Sequence, residues 1–415
     1  MTLLPWAIGL GFLVDSFSGD DDADDSGDET DTPVEEGTED IFISNGLPFE
    51  GSDDAEYVRG YGPADTINGN GGDDILYGLG GNDTINGGDG DDRIFGGAND
   101  DTLNGDAGDD LIAGFGGRDI ITGGAGDDIL RGEDGEDTID GGDGNDTIDG
   151  GIGHDILTGG AGADTLFGDS GNDTIDGGNG KDTIDGGQND DIIRGSAGDD
   201  TLFGNAGEDT LYGGIGDDLV TGGYGNDTIY LGDGDDMTTP TDDPTAPPSE
   251  ADDGGNDTIY GGGGNDVLID GSGSNALYGD AGNDFIFAVD RDFLGVTDYV
   301  PTPDTVEGGD GNDTIAIDNG DTATGGAGED LFNVIRSTQD AADIVTITDF
   351  DVAEDVLVLE WVGDVQTGDT VIFTENADGL IGTYDGIEIV QLNGLTAADI
   401  PNITGSFSYA SSAPA

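Results

Sequence analysis

The residues with the most chemistry in this chain are aspartates set nine apart. They begin at Asp65 and run through Asp74, Asp83, Asp92, Asp101, Asp110, Asp119, Asp128, Asp137, Asp146, Asp155, Asp164, Asp173, Asp182, Asp191, Asp200, Asp209, Asp218, Asp227 and Asp236 without a slip. The phase returns at Asp257, Asp266, Asp284, Asp313 and Asp330. A carboxylate recurring beside glycines suits a hard divalent cation. Calcium takes six to eight oxygens from carboxylates and backbone carbonyls, and a glycine turn exposes such carbonyls. Other chemistries find little to work with. There is one histidine, His154, so no H-E-x-x-H zinc site exists, and no G-x-S-x-G nucleophile elbow is present. Neighbouring carboxylates such as Asp73 with Asp74, or Asp109 with Asp110, all sit in the same kind of turn. Acid–base catalysis needs two carboxylates in distinct environments. The expectation is therefore no catalytic residues and no enzyme.

The element that must position these aspartates is a nine-residue unit, G-G-x-G-x-D-x-U-x, where U is a large aliphatic residue. From Gly60 to Thr239 it occurs in 20 consecutive copies, and a fixed period is the mark of a solenoid. The first slot is Gly in 19 of them, with Leu231 the exception; the eighth is Ile, Leu or Val in 19, with Thr238 the exception. The fourth slot departs from Gly only at Pro63, Asn99 and Asn189. Asn tolerates a left-handed backbone better than other side chains, so the turn needs positive φ there. The three residues x-U-x are expected to form a short strand. Strand side chains alternate, so U faces inward while its neighbours face water.

Two units back to back make one coil of 18 residues, and coils stack at roughly 4.8 Å, the strand spacing. Turns on one side then recur every 18 residues. An ion is expected between Asp128 and Asp146, between Asp146 and Asp164, and onward, roughly one Ca2+ per repeat. The ion also answers an energetic need. One buried aliphatic side chain per nine residues is a small core for so much glycine-rich backbone, and the carboxylates repel one another. The fold class expected is all-β: a parallel β-roll with a C-terminal β-rich cap.

The unit resembles the nonapeptide of the RTX family of hemolysin-type calcium-binding proteins, and the resemblance covers about two thirds of the chain. It implies a calcium-loaded parallel β-roll and export through a type I secretion apparatus. The segment Asp343 to Leu359 is similar to the one that follows the roll in RTX proteases and other type I substrates. Asp349 and Asp355 match acidic positions of that pattern, and Asp349 joins the candidate ligands.

Composition bounds the partners. Ninety-four acidic residues stand against eight basic ones, for a formal net charge of −86. That sign excludes nucleic acid and anionic membrane surfaces as partners. Cysteine is absent, which fits a secreted chain in which metal replaces disulfides. The apolar run Leu3 to Val14, within residues 1–18, has no preceding Lys or Arg and no small-residue cleavage site, unlike a Sec signal. Residues 19–40 hold 12 acidic residues and read as a solvated linker. Residues 41–59 read as an N-terminal cap with Ile41 to Ile43 as its first strand.

The roll is expected over 60–239, with a proline-rich acidic insertion at 240–253. A second block spans 254–287, where Asn275 replaces the aspartate. Another insertion follows at 288–307. A third block covers 308–334, with a shortened copy around Asp321. Residues 335–402 read as a β cap carrying the export region, with hairpin signals at Asp378-Gly379 and Asp385-Gly386. Thr396 to Asp399 suggests one helical turn capped by Thr396. The tail 403–415 is expected to be unstructured. The function expected is that of a secreted calcium-binding protein, folded by extracellular calcium and serving at a surface or in a matrix. The alternative is a membrane-active protein, hemolysin-like or nodulation-export-like, using Leu3 to Val14.

Overall fold

A computed structural model describes residues 40–43, 48–239, 255–270, 273–289, 302–318, 320–337, 344–362, 371–384, 387–400 and 405–410. The expectations for the apolar terminus, the acidic linker and the bodies of both insertions lie outside these residues.

Each repeat contributes one strand, and alternate strands belong to opposite sheets. Thr147–Ile152, Ile156–Ala161 and Thr165–Ser170 are successive examples. Strands 18 residues apart pair in parallel without slippage, as Ile148 opposite Leu166 and Leu157 opposite Ile175. Among the described residues the two sheets contain 18 and 19 strands. The strands are six residues long rather than the three of x-U-x. The glycine pair after U continues the ladder, with Gly151 opposite Asp169, because its backbone groups need partners as much as those of U do.

The core is a double file of eighth-slot side chains. Ile148, Leu166, Ile175 and Ile184 are all 0% exposed, while Thr147 on the same strand is exposed. The inward direction of U and the outward direction of its neighbours are thus as the alternation predicts. Thr238, the polar exception, is buried with its hydroxyl accepting the Ile269 N–H at 2.8 Å, so the file is not broken by an unmet polar group.

Both insertions leave the register intact. Thr228–Asp233 pairs with Thr258–Gly263 across 30 residues, and Ala276–Ala281 with Thr305–Asp310 across 29. The second insertion is shorter than its sequence suggests, because residues from Thr305 are already roll strand. The copy around Asp321 is one residue short, and Thr305 still pairs with Thr322.

The ends of the roll differ from expectation. Residues 41–59 do not form a separate cap. Asp40–Phe42 pairs in parallel with Tyr57–Arg59, and Phe49 with Ile67, so both sheets begin there. Val58, 0% exposed, joins the aliphatic file next to its register partner Ile41. At the other end, Val345–Ile347 and Val356–Val362 continue the two parallel ladders. Among the described residues, antiparallel pairing is confined to Ile372–Glu375, Gly379–Tyr384 and Ile387–Asn393. The tail is not unstructured: Gly405–Ala410 pairs in parallel with Leu357–Val362, supplying main-chain partners to what would be a bare sheet edge. Thr396 to Asp399 makes a single turn with Thr396 at its cap position, its carbonyl accepting the Asp399 N–H at 2.9 Å. The Asp399 carboxylate accepts both the Thr396 N–H and hydroxyl at 2.8 Å.

Candidate metal centre

The sixth-slot aspartates stand in two columns, one along each side of the roll. All 20 of the long roll, with Asp266, Asp284, Asp313 and Asp330, are at most 3% exposed. Asp257 is in the same ladder but half-buried. What holds each side chain in place is the turn of the neighbouring coil. The Asp128 N–H donates to Asp146 Oδ1 at 2.9 Å, and the Asp146 N–H to Asp164 Oδ1 at 2.8 Å. The pattern crosses the insertions, with the Asp236 N–H on Asp266 Oδ1 at 2.8 Å. From Asp74 onward, one carboxylate oxygen of nearly every column aspartate is thereby committed to the coil before it.

The second oxygen is not. Oδ2 of Asp128, Asp146, Asp164, Asp182 and Asp200 is buried with no hydrogen-bond partner, and the same holds along most of both columns. Burying an unpaired carboxylate oxygen costs several kcal/mol, and native proteins leave few such groups. Here they recur at every turn, which is the arrangement of a site built for a cation. A Cβ placed on Gly141 would lie 2.3 Å from Asp146 Oδ2 and 2.5 Å from the Gly159 carbonyl oxygen. The first-slot glycine is therefore required for close approach and not for a left-handed backbone. Positive φ belongs to the second and fourth slots, as at Gly142 (111°), Asn99 (78°) and Asn189 (77°).

Among the described residues no three His, Cys, Asp or Glu side chains converge on one point. An ion in these columns would combine carboxylate Oδ2 atoms with turn carbonyls such as that of Gly159. An all-oxygen, carbonyl-rich donor set fits calcium and does not fit zinc, which takes nitrogen and sulfur.

Electrostatics point the same way. Burial pushes the Asp146 carboxyl up to about 7; the Asp128 N–H works against this, and the Asp128 and Asp164 carboxylates add to it. Asp128 rises to about 6 and Asp191 to about 8, again chiefly through burial. A carboxyl whose pKa is raised by folding stabilises the fold only while protonated. That contribution is full below the unfolded value of about 3.8 and is lost as pH rises through about 6 to 8. In metal-stripped buffer, lowering pH from 8 to 5 is expected to increase the β signal in circular dichroism, as protons neutralise the columns. A flat or falling signal would contradict the burial of these carboxylates.

Two predicted positions and several missed ones need correction. Asp349 does not join a column: both its oxygens accept N–H groups, from Gly325 and Gly326, each at 2.9 Å. Asp355 continues the ladder instead, taking the Asp330 N–H at 3.1 Å and the Asp351 N–H at 2.7 Å. With both oxygens accepting N–H groups, Asp355 ends its column without an unpartnered oxygen. Asn275 keeps the ladder bond, accepting the Asp257 N–H at 3.0 Å, but supplies no charge. Glu56, Asp304 and Asp321 also occupy sixth-slot positions: the Asp74, Asn275 and Asp304 positions are linked to them by the same bond. Their signal was present in the sequence, as Gly51 five residues before Glu56 and Val306 two after Asp304.

The fifth slot, left unspecified in the unit, often holds a hydrogen-bond acceptor. In several coils its side chain accepts the N–H of the fifth-slot residue in the next coil. Asn145 N–H donates to Asp127 Oδ1 at 2.8 Å and Asn172 N–H to His154 Nδ1 at 2.7 Å. The predominance of Asp, Asn and Glu there was the available sign. Lys181 is an exception, its Nζ donating to the Asp199 carbonyl at 2.8 Å.

A family model for the RTX calcium-binding nonapeptide repeat, in units of four copies, matches residues 50–85, 77–112, 113–148, 149–184, 185–220, 212–237, 252–286 and 303–321. No curated protein matches the chain.

Proposed function

Because the chain belongs to the family of RTX calcium-binding nonapeptide-repeat proteins, whose matches cover more than half its length, we propose that it is a secreted protein that calcium outside the cell folds into its working form. Its role is non-enzymatic, at a cell surface or in an extracellular matrix. The observation that carries this reading is the repeated buried Oδ2 with no protein partner. Calcium there would neutralise the carboxylates and complete the turns. The chain's own residues do the rest: the sixth slot aims the oxygen, the first-slot glycine makes room for it, and the fifth slot fixes the turn.

Ion counting tests the proposal. Equilibrium dialysis at saturating calcium is expected to give roughly one ion per repeat. A count of only a few per chain would overturn it.

Export is the second half of the proposal. Inside a cell, where calcium is scarce, repulsion among 94 acidic residues keeps the chain extended and threadable. Outside, each ion bound stabilises only the folded form. In cells carrying a type I exporter, deleting residues 335–415 is expected to abolish secretion. Deleting residues 1–18 should leave it intact. The reverse pattern would move the export signal to the N-terminal apolar run.

A further inference from the structure

The outer face of one sheet carries a column of four tyrosines in the ninth slot: Tyr212, Tyr230, Tyr260 and Tyr278. They are register partners in successive strands. Their rings stack at 5.0, 5.0 and 4.9 Å between centroids, tilted by only 7°, 4° and 10°. Each inner ring is sandwiched between two others, so only the two ends of the column have a ring face to offer. At the first end the protein fills that face itself: the Arg194 guanidinium lies 5.2 Å from the Tyr212 centroid.

The second end is built differently. Tyr260 covers one face of Tyr278, and the other is turned toward the next strand, where Glu307 is its register partner. A cleft of about 430 Å³ opens there, walled by Tyr278, Asp280, Glu307 and Asp310 and floored by Gly309 and Gly326. The floor is flat by necessity, since a Cβ on Gly326 would lie 2.1 Å from the Gly309 carbonyl oxygen. A ring face and three carboxylates thus line one cleft over two glycines.

The geometry points to a guanidinium-binding cleft at the Tyr278 end of this column. A planar cation can lie on the ring as Arg194 lies on Tyr212, while its N–H fork reaches carboxylates. A compact ammonium ion lacks the flat face and the fork. The chain has only eight basic residues, so its field draws in cations from outside. The source is a small guanidinium compound or an arginine of a partner protein, and the chemistry recognised is the same.

The test uses the full calcium-saturated chain in 150 mM salt, which suppresses diffuse attraction. N-acetyl-arginine amide and a decapeptide with one central arginine are titrated calorimetrically, with the citrulline versions as neutral isosteres. The expected result is one saturable site per chain for arginine and none for citrulline. Binding by the capped amino acid makes a small ligand sufficient, whereas binding by the decapeptide alone assigns the site to a partner's arginine. Tyr278→Leu and Glu307→Gln should each weaken binding about fivefold, and Tyr278→Phe, which keeps the ring, should stay within twofold of the parent. Tyr212→Leu, at the filled end, should change nothing. These side chains point away from the core, and an unchanged calcium midpoint in circular dichroism verifies that each variant folds. Non-saturating heat, or binding indifferent to Tyr278→Leu, would overturn the proposal and leave only counterion attraction to an acidic surface.

Discussion

Stripped of calcium at pH 7.5, the chain is expected to lose nearly all its β structure, and to regain it cooperatively when calcium is restored. The roll lacks a deep apolar core. Its core is two files of single aliphatic side chains, Ile148 and Leu157 among them, with no second layer behind. Against this stand two columns of carboxylates, nearly all buried to at most 3% exposure, most with an oxygen for which the protein offers no hydrogen. At neutral pH the ionised columns oppose folding by desolvation and mutual repulsion. Each ion bound only in the folded form contributes about 2.7 kcal/mol at 100 times its Kd. Sites shared between adjacent coils would let binding at one turn order the next. Extracellular sites of this class bind at about 10⁻⁴ to 10⁻³ M, which places the midpoint of a far-UV circular dichroism titration near 0.1 to 1 mM. A chain with the same spectrum in chelator and in calcium would refute the account.

Ile148→Asp is expected to unfold the coils around it, whereas Thr147→Asp, one residue earlier, should be nearly silent. Ile148 is 0% exposed and sits in file between Leu130 and Leu166. The substitution removes an aliphatic side chain and buries a charge with no cation near it, a local loss of at least about 5 kcal/mol. Thr147 is on the same strand but faces water, where substitutions usually stay within about 0.5 kcal/mol. Because each coil touches only its neighbours, the damage should remain local. Hydrogen exchange in calcium should show lost protection near residues 129–170 in the first variant and almost none in the second. Equal effects would mean that the strand faces are assigned the wrong way round.

The nonapeptide dictates several features by itself. Alternation within x-U-x settles which side chain is buried, because a strand has only two faces. A period of nine with turns on alternate sides places Asp128, Asp146 and Asp164 in one column. Glycine and asparagine at the fourth slot state that the turn is left-handed there. All of these are properties of one repeat, and one repeat is what local sequence describes.

Only the stacked structure decided the rest, since each remaining feature belongs to two coils at once. Whether an aspartate oxygen is spent or spare depends on the N–H of a coil 18 residues away, as Asp128 is to Asp146. The same holds for the fifth slot, whose acceptor role at His154 is invisible until Asn172 lies against it. Asp349 and Asp355 look alike in a linear pattern. The fold alone gives Asp349 to the N–H groups of Gly325 and Gly326, and Asp355 to the column. Glu56 and Asp304 hid because they lie in irregular sequence, yet their coils are pinned by in-register pairing with regular ones. The sequence thus determined the unit, the direction of its side chains and the cation it calls for. Stacking determined which oxygens remain for that cation, because hydrogen bonds between coils are settled by tertiary register and not by local spacing.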